Sequence, residues 1–446
     1  MCEKEDYMKK FPKKIAMVSL AAMMGLAGCS TQQATEKTAE GNSEEAKEPV
    51  EITFWHVYSE NFGAPVIKAM VDEFNSTHED IKVKEVYNPD MYPGLMQNLQ
   101  AEVAAGNPPS ICMIGYNYIK YFAANFNYIS PQDLIEQYVP EDKEYLSNTF
   151  MDNVLNLAQV DGEQIGMPYC ISAPILCYNP ELFEQAGLNP DERPKSWDEV
   201  REFAKQITEK TGEYGFYMQE YADNWAIQGL LESNGARMLE DNRAAFATQE
   251  GIDAYQILAD MVLKDKSALH ITADEGIQAF CNGKVGIACI SSAKIGTVTQ
   301  AAQFDVKGAE FPGFDGKERR LPTGGNFLPI TAQTEEEQKA AWEFIKFAMQ
   351  PEWLAKWTEN TGYLPPRQEV VDEEGLKNYI EENQMLRVAF DEMDDLYSWA
   401  AYPGDMGTQA EQLLADTRDK ILDGSQTPEE ALKEAENTLN EMLEEQ

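Results

Sequence analysis

Histidine and basic residues are scarce in this sequence. His56, His78 and His270 are the only histidines among 446 residues and lie far apart in the chain, which argues against a multi-histidine metal centre or a histidine proton relay. Lysine and arginine number 36 against 77 acidic residues, so the formal net charge is −41. A surface of this charge repels phosphate backbones and anionic lipid head groups, which argues against nucleic-acid binding, although a local arginine cluster could still hold an anionic ligand.

Long apolar runs and catalytic motifs are also missing. Outside the N-terminus, no apolar run reaches the roughly 18 residues that a membrane-spanning helix needs. Gly-x-Ser-x-Gly, His-Glu-x-x-His and P-loop spacings do not occur, so we expect no enzymatic activity, no cofactor and no metal. A secreted glycoside hydrolase remains an alternative, because 77 carboxylates can form a pair at any separation. A surface adhesin is a third hypothesis.

Cysteine usage gives little support for disulfides. Five cysteines follow the N-terminal segment: Cys112, Cys170, Cys177, Cys281 and Cys289. An odd number cannot pair completely, and no histidine pattern marks one of them as a nucleophile. We expect all five to be buried as small apolar side chains, with a single disulfide as the alternative.

The N-terminus combines the parts of a secretory signal. Four lysines between residues 9 and 14 precede an apolar run at residues 15–26, which predicts a signal peptide over residues 1–28. The sequence Leu26-Ala27-Gly28-Cys29 resembles the bacterial lipobox, which implies acylation of Cys29; an ordinary signal peptide with a chance cysteine is the alternative. Residues 31–49 have no aromatic or branched apolar side chain, so residues 29–49 are predicted to form a flexible tether.

The rest of the chain alternates between strand and helix patterns. Residues 51–57, 81–86 and 111–114 have the composition of strands, and the last of these is expected to be a buried parallel strand. Between these strands, apolar residues recur at helical spacing in residues 65–75 and again in residues 95–105. This order predicts an α/β layered domain.

A second set of similar elements follows. We expect a strand at residues 173–178, a short helix at 180–186, and a helix from a capping box at Ser196 and Glu199 to Thr208. Later helices are predicted at residues 248–264, at 334–358 with an interruption at Pro351, and from Pro428 onwards. The second half therefore repeats the α/β pattern.

Several short motifs occur in a distinctive order. They are Phe54-Trp55-His56, Gly106-Asn107-Pro108-Pro109, Tyr178-Asn179-Pro180-Glu181-Leu182-Phe183, Pro194-Lys195-Ser196-Trp197, Phe280-Cys281-Asn282-Gly283-Lys284, Thr323-Gly324-Gly325 and Thr361-Gly362-Tyr363-Leu364-Pro365. With these motifs, the chain resembles the extracellular solute-binding proteins of ABC importers, in the large sugar-binding class. Within that class it is most similar to the glycerol-3-phosphate-binding branch.

The resemblance implies an α/β fold with two lobes, hinge crossovers and a ligand cleft between the lobes. It places residues 50–168 and 328–362 in lobe 1, and residues 169–326 and 363–446 in lobe 2. It also implies closure by a hinge motion and recognition of the closed form by the permease subunits of an ABC transporter. We expect a monomer at the extracellular face of the bacterial cell membrane, attached only through the N-terminal lipid.

The resemblance also implies candidate ligand-binding residues. Tyr92, Ser172 and Tyr363 match ligand-contacting positions of the glycerol-3-phosphate branch. The other candidates are Tyr116, Asn117, Trp225, Ser291, Ser292, Gly324, Gly325 and Tyr402. Each has a structural alternative, because a Tyr or Trp in an α/β protein is often a core residue and a Gly pair often forms a turn.

Two departures from that branch bear on the ligand. Tyr116, followed by Asn117, stands where the branch has an acidic residue, and residues 399–405 contain no arginine where the branch clamps phosphate. Both differences favour a neutral ligand with faces that can stack, so a mono- or oligosaccharide is the preferred hypothesis. Glycerol-3-phosphate or a glycerophosphodiester is the alternative.

Overall fold

The computed structural model describes residues 48–150, 152–219, 224–372 and 374–444. The predicted signal peptide, the lipidation site Cys29 and nearly all of the predicted tether lie outside the described residues. Within the described ranges, none of the helices is both long and apolar enough to cross a membrane.

The strands are short, and most of those in the larger sheets are buried. They are β1 (Val50–His56), β2 (Ile81–Tyr87), β3 (Ile111–Cys112), β4 (Ile114–Gly115), β5 (Gln159–Val160), β6 (Glu163–Gln164), β7 (Met167–Ser172), β8 (Pro174–Tyr178), β9 (Tyr214–Met218), β10 (Arg237–Glu240), β11 (Arg243–Ala245), β12 (Ala268–Leu269), β13 (Val285–Ser291), β14 (Lys307–Ala309), β15 (Leu321–Pro322), β16 (Gly324–Leu328) and β17 (Leu396–Tyr397).

The helices surround these strands and fill the C-terminal part. They are α1 (Ala64–Thr77), α2 (Met91–Ala104), α3 (Ile119–Asn125), α4 (Pro131–Tyr138), α5 (Tyr145–Thr149), α6 (Asp152–Leu155), α7 (Pro180–Ala186), α8 (Trp197–Thr211), α9 (Trp225–Ser233), α10 (Gln249–Leu263), α11 (Ala273–Cys281), α12 (Ile295–Ala301), α13 (Glu335–Ala348), α14 (Pro351–Thr361), α15 (Gln368–Asp372), α16 (Glu374–Glu382), α17 (Gln384–Asp391), α18 (Gly407–Leu422) and α19 (Pro428–Glu444).

The first sheet is parallel and has the order β2-β1-β3. The predicted strands at residues 51–57 and 81–86 and the helix at 65–75 are confirmed within a few residues. The predicted strand at 111–114 is wrong in one respect: it is split at Met113, because Ile114 and Gly115 pair antiparallel with β16 in another sheet. The chain thus leaves the first sheet here and joins a different one.

The second sheet has five strands in the order β12-β9-β13-β8-β14. Strand β13 is central, parallel to β9 and antiparallel to β8, and all its residues are buried. Such complete burial explains why β13 is a continuous run of small and apolar side chains instead of an alternating pattern.

A third, small sheet joins distant parts of the chain in the order β4-β16-β7. Gly324 pairs with Ser172, and Phe327 pairs with Pro168. Ile171 and Leu364 exchange two backbone hydrogen bonds of 3.1 and 2.8 Å beside this sheet. We call this sheet the crossover sheet. The predicted lobe boundaries near residues 168, 327 and 362 all fall in it or next to it. The residue ranges of the lobes remain a prediction.

Local signals set the helix ends as the sequence predicts. Helix α7 begins after Asn179, whose Oδ1 accepts backbone N–H bonds, and ends at Gly187 with φ of 78°. Helix α8 extends to Thr211, three residues beyond the prediction. Ser196 accepts from the Glu199 N–H, but the Glu199 carboxylate accepts from the Lys195 N–H, so the predicted reciprocal capping box is only half formed.

All five described cysteines are buried and free, which confirms their prediction as buried side chains. Cys170 also has a polar role, because its Sγ lies 3.3 Å from the Tyr58 hydroxyl under the cleft described below.

Candidate ligand-binding cleft

A cavity lies at the end of the crossover sheet, between β16, β7, the turn after β13 and the start of α2. Its empty volume is about 430 Å³, part of it open to solvent. Its lining residues are Phe62, Met91, Tyr92, Ser172, Gln219, Trp225, Ser291, Ala293, Gly324, Gly325, Tyr363 and Trp399. None of these described lining residues is charged. We call this space the central cavity.

Two glycines keep the floor of the central cavity open. A Cβ at Gly324 would lie 2.3 Å from the Ser172 Oγ and 2.9 Å from the Trp225 ring. Gly325 has φ of 112°, and a Cβ there would lie 2.0 Å from the Cys170 carbonyl oxygen. Any larger residue would therefore displace the neighbouring strand or fill the cavity.

Aromatic rings form the walls. The Trp399 ring centroid lies 6.4 Å from that of Trp225 and 6.5 Å from that of Tyr92, both in edge-on arrangements. On the other side, Phe62 stacks on Tyr363 at 6.1 Å. The Trp225 Nε1 donates to the Pro322 carbonyl over 3.0 Å, which fixes the orientation of its ring.

A buried hydrogen-bond network supports these rings from below. The Asn326 Nδ2 donates to the hydroxyls of Tyr58 and Tyr92 over 2.7 and 3.1 Å. Burial raises the pKa of Tyr58, Tyr92 and Tyr363 well above that of a free phenol. These side chains therefore stay neutral and keep a hydroxyl proton to donate.

Amide and hydroxyl groups at the opposite wall are also held in place. The Gln219 Oε1 accepts the Ser291 N–H over 3.1 Å, and the Ser291 Oγ accepts the Ala293 N–H over 3.2 Å. Because these bonds orient the side chains before any ligand arrives, little ordering is needed when one binds.

The structure brings most of the predicted site residues together. Those that line the central cavity are Tyr92, Ser172, Trp225, Ser291, Gly324, Gly325 and Tyr363. Tyr116 is stacked on Phe327 and lines a neighbouring cavity. Their roles towards a ligand remain predictions.

Besides Tyr116, three predicted residues lie outside the lining of the central cavity: Asn117, Ser292 and Tyr402. The Ser292 Oγ accepts the Ala173 N–H over 3.2 Å. The Asn117 Nδ2 donates to the Glu411 Oε1 over 3.0 Å, and Tyr402 is buried at 1% exposure. Ser292 and Asn117 thus connect segments that are distant in the sequence, a structural position that their sequence context did not indicate.

Five lining residues were missing from the sequence prediction: Phe62, Met91, Gln219, Ala293 and Trp399. Trp399 lies in the segment 399–405 that has no arginine, and a large aromatic side chain in an irregular segment is itself a signal of a ligand site. The others follow strands or precede helices without a motif, so only their spatial neighbours identify them.

The central cavity adjoins two larger spaces. One, which we call the mouth cavity, shares Phe62 and Met91 with it and is also lined by Asp90, Lys294 and Arg418. The other, which we call the basic cavity, shares Trp399 with it and is also lined by Lys120, Glu232, Arg237, Arg320 and Tyr397. We call the three adjoining spaces together the cleft.

Lys294 closes the side of the cleft towards the mouth cavity. Its Nζ lies 3.6 Å from the Phe62 ring centroid, a cation–π contact between segments more than 200 residues apart in the sequence. Burial lowers the pKa of Lys294 to about 8. This contact joins the first strand's loop to the turn that follows β13.

Known proteins resemble this chain over most of its length. The model of the family "Bacterial extracellular solute-binding protein" matches residues 69–383. The sn-glycerol-3-phosphate-binding periplasmic protein UgpB of Yersinia enterocolitica is 25% identical over 406 residues, which cover 86% of this chain and 90% of that protein.

Solved structures of such proteins share the fold. UgpB from Mycobacterium tuberculosis in complex with glycerophosphocholine has a TM-score of 0.78 and 23% identity, and the match covers 89% of this chain and 98% of that one. Maltose-bound MalE3 of T. maritima has a TM-score of 0.77 and 22% identity, with 88% and 100% covered. The predicted α/β fold with two lobes is thereby confirmed. With a family match that spans most of its folded part, the chain belongs to the bacterial extracellular solute-binding proteins.

Proposed function

We propose that this protein is the substrate-binding component of an ABC importer, that it captures a carbohydrate between its lobes, and that it delivers the sugar unchanged to the permease. The observation that carries this proposal is the central cavity, which combines aromatic walls with hydroxyl and amide groups and has no charged residue among its described lining residues. Sugars present apolar C–H faces and polar edges, and this lining complements both.

The two cavities that adjoin the central cavity leave space for an oligosaccharide as well as for a single sugar. Trp399 separates the central cavity from the basic cavity, and Phe62 and Met91 separate it from the mouth cavity. A ligand longer than one ring would therefore pass Trp399 or Phe62 to enter the adjoining cavity.

Glycerol-3-phosphate or a glycerophosphodiester is the second candidate. It is supported by the relatives, since the Yersinia protein is named for glycerol-3-phosphate and the mycobacterial structure contains glycerophosphocholine. Against it stands the lack of a cation among the described residues of the central cavity, where a phosphate would need charge-assisted donors.

A thermal-shift screen over mono- and oligosaccharides, glycerol-3-phosphate and glycerophosphodiesters tests both candidates. A true ligand at 100 times its dissociation constant should stabilise the protein by about 2.7 kcal/mol. The sugar should be recovered unchanged after incubation, whereas turnover would indicate a hydrolase instead. If only the phosphorylated glycerols stabilise the protein, the carbohydrate proposal is wrong.

Substitution of Trp399 tests whether the sugar binds in the cleft. Trp399→Ala should weaken sugar binding by about 10- to 100-fold, because a stacking face is lost between two cavities. Trp55→Ala is the matched control, since Trp55 is a half-buried tryptophan of β1 that does not line the central cavity. Titration calorimetry should show a large loss of affinity for the first variant only.

The membrane attachment belongs to the same proposal. A binding protein that serves a permease must stay near the membrane, and the lipobox at Cys29 would supply a lipid anchor at the extracellular face for a monomer. Cys29→Ser should abolish incorporation of labelled fatty acid and release the protein from the membrane fraction. Unchanged labelling of that variant would refute the anchor.

A further inference from the structure

The basic cavity concentrates positive charge in an acidic protein. Among its described lining residues, Lys120, Arg237 and Arg320 face a single carboxylate, that of Glu232. In the whole chain, acidic residues outnumber lysine and arginine by 77 to 36. The mouth cavity has no such excess, because its lysine and arginine are matched by aspartates. The positive charge is thus specific to the end of the cleft beyond Trp399.

The two arginines are held rigidly at this place. The Arg320 guanidinium lies 3.4 Å from the centroid of the Tyr397 ring, and its Nε is 3.5 Å from the Glu232 Oε2. The Arg237 Nη1 donates to the carbonyls of Ala236 and Glu232 over 2.6 and 3.3 Å. Within the described residues these contacts engage one nitrogen of each guanidinium, so the planar fork of each side chain retains donors for a further acceptor.

Lys120 adds a third cation to the lining of the basic cavity. It lies in α3, within the range predicted for lobe 1, whereas both arginines lie in the range predicted for lobe 2. Its Nζ donates to the Asn242 Oδ1 over 3.1 Å, and burial lowers its pKa. Lys120, Arg237 and Arg320 are each only partly exposed, and an anion bound in the cavity that they line would offset the cost of removing their charges from solvent.

From this arrangement we infer that the transported carbohydrate carries an anionic group, a carboxylate or a phosphate, which binds in the basic cavity while a neutral ring occupies the central cavity. The inference rests on the proposed function and specifies its ligand class. Arginine forks bind carboxylate and phosphate oxygens in pairs of charge-assisted bonds. Trp399, which lines both cavities, separates the neutral part of the ligand from its charged part.

Matched ligand pairs test the inference. Uronic-acid oligosaccharides are compared by calorimetry with their carboxyl-reduced forms, and sugar phosphates with the unphosphorylated sugars. The charged member of at least one pair should bind about 10-fold tighter or more, and its advantage should shrink between 50 and 500 mM salt. The pair that shows the effect identifies the source of the anion.

Arg320→Gln and Lys120→Gln should each reduce the advantage of the charged member to about 3-fold or less, while binding of the neutral member stays nearly unchanged. Arg387→Gln, at an exposed arginine of α17, removes the same charge elsewhere and should keep the full advantage. Two variants are used so that misfolding of one leaves the other informative.

The outcomes separate this inference from the proposed function. The inference of an anionic group is wrong if neutral sugars bind as tightly as their charged counterparts. It is also wrong if the variants lose affinity equally for both members of a pair. Either result would leave the proposal of carbohydrate binding intact. Stabilisation by no carbohydrate, charged or neutral, would overturn the proposed function itself.

Discussion

At the scale of single residues, the neighbourhood of a side chain decides its chemistry. His56 belongs to a short motif at the end of β1 and is 2% exposed. Its Nδ1 accepts the Tyr58 N–H over 3.3 Å, and its Nε2 lies 3.3 Å from the Glu85 carboxylate. Burial lowers the pKa of His56 to about 4. A residue that sequence alone marks as a family landmark is therefore a neutral, structural histidine.

This pKa predicts acid sensitivity. The unfolded chain binds a proton at His56 near pH 6.5, whereas the folded protein resists it down to about pH 4. The free energy of unfolding should therefore fall as the pH decreases from 6.5 to 4, with a total loss of about 3 kcal/mol over this range. His56→Asn keeps an acceptor for the Tyr58 N–H. Its free energy of unfolding, measured in urea at pH 7.5, 5.5 and 4.5, should decrease less steeply with falling pH than that of the wild type.

His78→Gln serves as the control for that measurement. It removes a different histidine, at the end of α1, and leaves His56 in place, so its stability should follow the wild-type decrease. An identical pH dependence for His56→Asn and the wild type would contradict the assignment of the effect to His56.

At the scale of elements, the crossover sheet is the least predictable part of the fold. Strands β7 and β8 are separated only by Ala173, yet they lie in different sheets. Their sequences are equally apolar and fully buried, so composition does not distinguish them. Pairing of β7 with β16 depends on Gly325, whose positive φ lets the two backbones approach.

Gly325→Ala tests this role. An alanine at positive φ costs about 1–2 kcal/mol through backbone strain alone, and its Cβ would also lie 2.0 Å from the Cys170 carbonyl. Urea unfolding should show a loss larger than that of Gly316→Ala by about 2 kcal/mol or more. Gly316 is the matched control, because it has φ of 73° and no atom within 4 Å of an added Cβ. Equal losses in the two variants would refute close packing at Gly325.

At the scale of the whole molecule, the cleft is made by segments from both halves of the chain. Phe62 contacts Lys294, and Asn117 contacts Glu411 across 294 residues. The contact between Phe62 and Lys294, which line the mouth cavity, should break if the predicted lobes open by a hinge motion. Ligand binding should shift the population towards the compact form if that form binds better.

Solution scattering checks this shift. A sugar that stabilises the protein in the thermal-shift screen should decrease its radius of gyration. Gly324→Val is the control, because a Cβ at this position meets Ser172 and Trp225 and so blocks the central cavity. Compaction of this variant by the same sugar, or no compaction of the wild type, would contradict closure around the central cavity.

Much of the candidate site followed from the sequence through its resemblance to the family. Tyr92, Ser172 and Tyr363 occur in or near recognisable motifs, and all three line the central cavity. Gln219 and Trp399 do not occur in such motifs, and they line the same cavity because β9 and the segment after β17 end beside it. Side chains without a local pattern were therefore found only through their neighbours.

The sequence by itself determined the α/β class, the helix ends at Asn179, Gly187 and Pro351, and the burial of the cysteines, because these depend on local propensity, capping and hydrophobicity. Only the tertiary structure decided how β4, β7 and β16 pair and which cations meet beyond Trp399. Lys120, Arg237 and Arg320 are separated by 83 or more residues in the chain, and no local interaction encodes their proximity. They line one cavity because of the packing of the whole chain, so the lack of an arginine at residues 399–405 does not decide the charge of the cleft.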